Sequence, residues 1–482
     1  METETIRVLW AVLAGIVALL MQPGFAMVEA GLSRAKNAAH TISMTLVIGP
    51  TVCLAFWVYG FALGWGNLAG GLPAGAPLGS AGDGWLRSLG AGLSVLDRGL
   101  GIGHAVGADG AETGGQGFGL LGLKGFCLHG LDDPAVCALF FLMLAFLLAA
   151  AAIPTGTMVE RWSWRNLCLY GLWVPLPFAL WANWVWGGGW LAQAGLNWQL
   201  GHGVVDVAGS GVVHALGGVV ALAGAVVLGP RLGKYRQNRA SPIPGHHVPM
   251  VVTGTLLVAI GSFGLIGGAA LAGSDLHPSV MIVQAVLAGA AGTLAAVVTL
   301  RTKRMKPDPT LMCNGLVAGL AAISAGCGLV DTWAAVVTGG VAGAVAVRCV
   351  LFCEKHGLDD PVGAISVHGA GGLWGLVAVG LLANGRSGAG WHGVVRSDIL
   401  AGPAAGLGYD GVRGFFYGDA SQLAAQLLAA AVLAVFGFAT AYAGFKLSNL
   451  LAGIRVGRDT ELAGLDAPEM GSMGYPDFTV KS

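Results

Sequence analysis

DVAGSGVVHALGG at residues 206–218 and DPVGAISVHGAGG at residues 360–372 spell one pattern twice, D-x2-G-x3-V-H-x2-G-G. Each copy sets an imidazole, His214 or His368, in a stretch otherwise suited to lipid or to a protein core. Ionisable groups at membrane depth are costly to keep and mark function by default. The duplication therefore points at a working site.

Composition sets the compartment. Of 482 residues 55% are hydrophobic and 10% charged, 82 are glycine, and the mean hydropathy is +0.72, which places the chain among multispanning membrane proteins. The formal net charge is zero, so no basic face is offered to nucleic acid. The cysteines at 53, 127, 137, 168, 313, 327, 349 and 353 lie in apolar segments without C-x2-C spacing, which argues against structural zinc. Only Cys127 and Cys137 are placed to pair outside the membrane, and the sequence leaves that pairing open.

Roughly 17–25 apolar residues are needed to cross the hydrocarbon layer as helix. On that measure the chain predicts an all-α polytopic protein with eleven transmembrane helices, at 6–30, 40–65, 135–158, 165–187, 203–229, 248–272, 279–301, 310–326, 331–353, 362–384 and 421–447. The first is read as a retained helix, because its apolar run continues to about Ala30 with no clear signal-cleavage site after it. Short loops carrying Arg34 and Lys36, Arg161 and Arg165, Arg231 to Arg239, Arg301 to Lys306, and Lys355 alternate with 188–202, 273–278 and 327–330, which hold no Lys or Arg. The positive-inside rule then puts the amino terminus outside and the carboxyl terminus in the cytoplasm. Residues 1–447 form the membrane domain, interrupted by a Gly-rich external loop of little periodicity at about 66–133, and 448–482 form a cytoplasmic tail.

This orientation gives the repeated motif its geometry. The fifth helix runs inward and the tenth outward, so each histidine lies about 12 Å deeper than its aspartate, approached from opposite faces. Both imidazoles reach the midplane, as in inverted-topology repeats, here helices 1–5 against 6–10. A neutral imidazole both donates and accepts a hydrogen bond, so a facing pair can pass a proton or line a path for a small polar solute. Asp206 and Asp360, at helix ends, are read as holding the site by satisfying free backbone amides rather than as touching substrate. A haem held between stacked histidines is disfavoured, because His202 and His356, twelve residues before the motif histidines, fall on opposite sides of the membrane. His246 and His247, after Pro244, read as solvated turn residues.

Further blocks accompany the histidine motifs: FAMVEAGLSRAKN at 25–37, MVERWSWR at 158–165, WVWGGGWL at 184–191, VLGPRLGKY at 227–235 and VPMVVTGTLLVAIGSFG at 248–264. In this order they resemble the ammonium transporter family, which includes ammonium transporters, methylammonium permeases and Rhesus proteins, over about residues 10–476. The resemblance implies eleven helices per subunit, a homotrimer in the cell membrane, a separate pore in each subunit lined by His214 and His368, and Trp186 as part of an external recruitment site. An indole face holds a desolvating cation by cation–π attraction; on residues alone Trp186 reads as an interfacial belt residue. Gapless counting places Leu142, with Phe141 before it, and Leu265 at the usual gating phenylalanines, and Ala269 where a serine hydroxyl is frequent. The gate is therefore expected to remain hydrophobic and the external cation site to be weaker.

The function implied is passage of ammonium or ammonia across the membrane, with no covalent chemistry, no cofactor and no metal: not an enzyme. The alternative is an ammonium sensor with little flux that signals through its cytoplasmic face. GIRVGRDTELAGLDAPEMGSMGY at 453–475 resembles the family's carboxyl-terminal motif, with Met470 where histidine is common, and that resemblance implies packing beneath the trimer beside the docking surface of a PII-type signal protein. A disordered, solvated tail is the competing reading.

Overall fold

A computed structural model describes residues 2–68, 85, 89, 91–102, 105–106, 112–113, 118–237, 239–273, 275–394 and 411–476. Among these, nine helices are long and apolar enough to cross a membrane: Glu4–Leu32, Ala35–Trp65, Pro134–Met158, Ser210–Leu228, Val248–Ala272, Pro278–Thr302, Thr332–Lys355, Ile365–Leu382 and Ala420–Leu451. Pro309–Ile323 is apolar but shorter. With the segment expected at 165–187, these account for the apolar runs read from the sequence, but several differ in form.

The 165–187 run is not one helix. It divides into Trp164–Trp173 and Pro175–Val185, because Pro175 brings no amide to the ladder and its ring crowds the preceding turn. Helicity in the fifth run begins at Ser210 rather than 203. Residues 203–205 instead run as open chain against the 420–451 helix, where Gln426 accepts from the Val205 amide at 2.9 Å and donates to its carbonyl at 2.7 Å. The last helix continues to Leu451, so the tail starts later than 448.

The Gly-rich region carries more order than its lack of periodicity suggests. Gly99–Ile102 pairs antiparallel with Phe118–Gly122, and Ala105–Val106 with Glu112–Thr113. The first ladder docks on the WVWGGGW turn: Trp184 Nε1 donates to Leu120 O at 2.8 Å, and the Trp190 amide to Gly119 O at 3.0 Å. Much of 69–117 lies outside the described residues. Cys127 and Cys137 are both free, exposed thiols.

The tail is not a solvated strand. It forms two short helices, Arg458–Ala463 and Asp466–Met470. Asp466 accepts from the amides of Ala39, His40 and Gly474, Glu469 from Trp164 at 2.8 Å, and Glu461 from Leu232 at 2.7 Å. His246 and His247 are likewise not free turn residues. His246 joins Ser33 O at 2.8 Å to Tyr475 Oη at 2.9 Å, and His247 caps the 248–269 helix by accepting from Met250.

Candidate pore site

Both histidines sit on π-helical turns, Ser210–Ala215 and Ile365–Ala370, that open regular helices. Their aspartates shape these starts. Asp206 accepts from the amides of Gly209 at 3.1 Å, Gly211 at 2.8 Å and Val212 at 2.8 Å. Asp360 accepts from Gly363 at 3.1 Å, Ala364 at 3.0 Å and Ile365 at 2.8 Å, and from the Thr157 hydroxyl at 2.9 Å. The first turn of any helix leaves such amides without partners, and a buried carboxylate satisfies several at once. Gly209 and Gly363 stand at φ +95° and +81°, a conformation that side chains resist, and this is why the motif needs glycine three residues after each aspartate.

The two broken helices cross in contact. A Cβ on Gly218 would lie 2.1 Å from the Gly369 nitrogen, and one on Gly372 would lie 2.4 Å from Ser210 O. Only backbone against backbone fits there. The crossing brings His214 and His368 edge to edge, Nδ1 to Nδ1 at 3.0 Å, with ring centroids 5.1 Å apart and planes 14° from parallel. Both are buried, 2% and 5% exposed. At that distance one nitrogen carries the proton and the other accepts it, so the pair is a single hydrogen-bonded unit.

On the Asp206 side stands Trp186. Its Nε1 donates to Asp206 O at 2.6 Å, which ties the indole to the cap of the His214 segment. Phe146 meets the indole edge to face at 5.2 Å. Leu142, one turn earlier on the 134–158 helix, is fully buried and packs against Gly268. Leu265 and Ala269 face the core of the 248–269 helix, at 2% and 0% exposure. Phe141 turns the other way, onto Gly15. The motif residues and Trp186 therefore converge, while Leu142 meets Gly268 on the 248–269 helix, the helix that carries Leu265.

Two aromatic residues escaped the sequence reading. Phe146 supplies the ring beside Trp186, and its spacing of four from Leu142 puts both on one helix face, a signal present in the sequence. Phe25 lies edge-on to His368 at 5.8 Å, on the side away from Trp186. Nothing in its helix distinguishes it from ordinary core.

Below His368 lies a cavity of about 40 Å³, room for a solute the size of one water, which Phe25, Glu29, Thr255, Asn314 and Val362 line together with the histidine. Three residues before Val362, at Asp359, charges cluster among the loops. Arg231 binds Asp359 through Nε at 2.9 Å and Nη2 at 2.9 Å and reaches Glu160 at 3.2 Å, Arg161 donates to Asp359 O at 3.1 Å, and Arg34 pairs with Glu160. Burial alone would raise the Asp359 carboxyl, but Arg231 and Arg161 outweigh it and hold it down at about 2.

Apolar helices around two crossing, glycine-seated turns that bury an imidazole pair define a multi-pass membrane protein with a narrow polar core. The profile of the Ammonium Transporter Family matches residues 9–475, and the chain belongs to that family. It is 36% identical over 474 residues to the ammonium transporter Amt2 of Archaeoglobus fulgidus, covering 97% of this chain and 88% of that one. To Amt1 of the same organism it is 30% identical, covering 97% and 99%. Among solved structures it superposes on one described as a sensor Amt protein with TM-score 0.75 and 26% identity, over 98% of this chain and all of that one. It also superposes on Candida albicans Mep2 with TM-score 0.71 and 20% identity, over 95% and 87%.

Proposed function

We propose that the protein conducts ammonium nitrogen across the cell membrane through a pore in each subunit of a homotrimer, with eleven membrane helices, an external amino terminus and a cytoplasmic tail. The observation that carries this reading is the buried, hydrogen-bonded pair His214–His368. A dry, apolar passage rejects hydrated cations such as potassium, because a bare charge finds no compensating solvent there. Ammonium differs in being able to leave its proton behind. The cation is recruited at the Trp186 face, with Phe146 beside it, loses water and then a proton, and crosses as ammonia past Leu142 and Leu265. The imidazole pair accepts and relays the proton, and Asp206 and Asp360 fix its geometry. A PII-type protein docking at the cytoplasmic face is the partner this tail suits.

A sensor with little flux is the second reading, favoured by the 26% identity across 98% of the chain to the structure described as a sensor Amt protein. Liposome flux with ammonium against a potassium control, run beside equilibrium binding, separates the two. Ammonium-specific flux supports transport; saturable binding without flux overturns it in favour of sensing.

A further inference from the structure

The cavity beneath His368 holds a group that the proposed relay does not use. Glu29, 3% exposed, lines the same space as the imidazole. Its carboxyl accepts from the Thr155 hydroxyl at 2.6 Å, and no basic side chain among the described residues lies within ion-pair distance. Burial of a carboxyl without a cation normally costs so much that it is either neutral or waiting for one. Glu29 is a polar group set among Phe25, Ala26 and Ala30 on a buried face. The other polar groups facing the cavity are Thr255, Asn314 and Cys313, with His368 at its far end.

We infer that Glu29 is the inner cation site of the pore: the carboxyl that re-forms ammonium and holds it before release. Ammonia arriving below His368 meets the neutral acid. The Glu29 O–H bond breaks, its proton bonds to the nitrogen lone pair, and an ammonium carboxylate pair results, with the Thr155 hydroxyl on one carboxylate oxygen and the Asn314 side chain lining the same space. The proton that the imidazole pair releases returns the carboxylate to the acid, so the cycle balances. The space admits one water-sized ion, which limits the site to a small, unhydrated cation.

This inference rests on the proposed transport, and its test separates the two. Purified trimers of the wild type and of Glu29→Gln, which keeps the size and the Thr155 contact, are compared by infrared difference spectroscopy on adding ammonium chloride or potassium chloride. Loss of a protonated-carboxyl band with ammonium only, absent in Glu29→Gln, is expected. No such band in the wild type overturns the assignment whether or not the protein transports. In proteoliposomes, Glu29→Gln is expected to cut ammonium-driven current at least about tenfold, the scale of a lost general acid, while Glu29→Asp restores most of it. Currents within twofold of wild type in Glu29→Gln would also overturn it. His214→Ala and His368→Ala run alongside: wild-type currents in both, with Glu29→Gln defective, sink the imidazole relay and leave the carboxyl site standing.

Discussion

Gly218→Ala is the sharpest single perturbation of the pore. The added carbon would fall 2.1 Å from the Gly369 nitrogen and 2.3 Å from its Cα, both backbone atoms of the segment that carries His368. Rotamer changes cannot relieve a clash with backbone. Contact carbons settle at about 3.5 Å, so the helices must part by about 1.4 Å at this point. The Nδ1–Nδ1 distance, 3.0 Å, would then pass beyond hydrogen-bond range. Overpacking of this kind costs about 1–3 kcal/mol, but the functional loss should be larger, because the imidazole pair is broken. The control is Gly340→Ala, also on a membrane helix, where a Cβ meets nothing within 4 Å. Thermal unfolding of the detergent-purified protein and ammonium flux in proteoliposomes measure both terms. Gly218→Ala should lower the melting temperature and abolish ammonium-specific flux, and Gly340→Ala should change neither. Wild-type flux in folded Gly218→Ala would show that close helix approach does not hold the site.

Further outcomes are expected. His214→Ala and His368→Ala should each change the charge that accompanies transport, and the double variant should cost little more than either, since the two act as one unit; wild-type currents in the double variant would refute the relay. Replacing Leu142 and Leu265 by Phe should strengthen ammonium recruitment by about 0.5–2 kcal/mol, read as a lower half-saturation; no change would show that neither residue faces the entry path. Asp359→Asn leaves Arg231 and Arg161 buried without their carboxylate and should destabilise the protein by about 3–5 kcal/mol, read by thermal unfolding. Because the Asp359 carboxyl is held down at about 2, its stabilisation is full above the ordinary carboxylate range and fades as pH falls from about 4 through 2; an acid-unfolding profile unaltered by Asp359→Asn would contradict that. Truncation after Leu450 should lower flux in mixed trimers by more than the fraction of truncated chains; strict proportionality would make the tail a bystander.

Much of this was legible in the chain because the spacing itself is mechanical. D-x2-G-x3-V-H places an acceptor, a left-handed glycine and an imidazole at intervals that only a capped, tightly wound helix start satisfies, so the motif announces both its backbone and its site. The apolar runs announce a mostly helical, multi-pass chain in the same way. What the sequence left hidden depends on neighbours distant in the chain. Pro175 reads as a member of an apolar run until the ladder it breaks is seen. Phe25 and Glu29 are a turn apart in a helix that looks like any other, and only the crossing of 365–382 gives them His368. His246 looked solvated because its partner, Tyr475, stands 229 residues away in a segment rich in Gly, Asp and Glu.

The ion cluster around Asp359 explains why the site and the tail are parts of one structure. Asp359 adjoins Asp360, the cap of the His368 segment, while Arg231 lies three residues beyond Leu228, the end of the helix that continues from the His214 turn. Their 2.9 Å pairing thus fastens both imidazole-bearing helices at the same end. The tail grips that junction from below. Glu461 takes the Leu232 amide, and Arg455, paired with Glu461, donates to the carbonyls of Leu228 and Pro230 at 3.0 and 2.7 Å. Since buried partners of this kind are costly to separate singly, the arrangement of Leu228–Leu232 with the tail bound cannot persist unchanged when the tail leaves. The helix Leu216–Leu228 continues from the turn that presents His214, and residues 229–232 follow it outside the helix. The tail therefore contacts the chain at and just beyond the end of the helix that continues from the His214 turn.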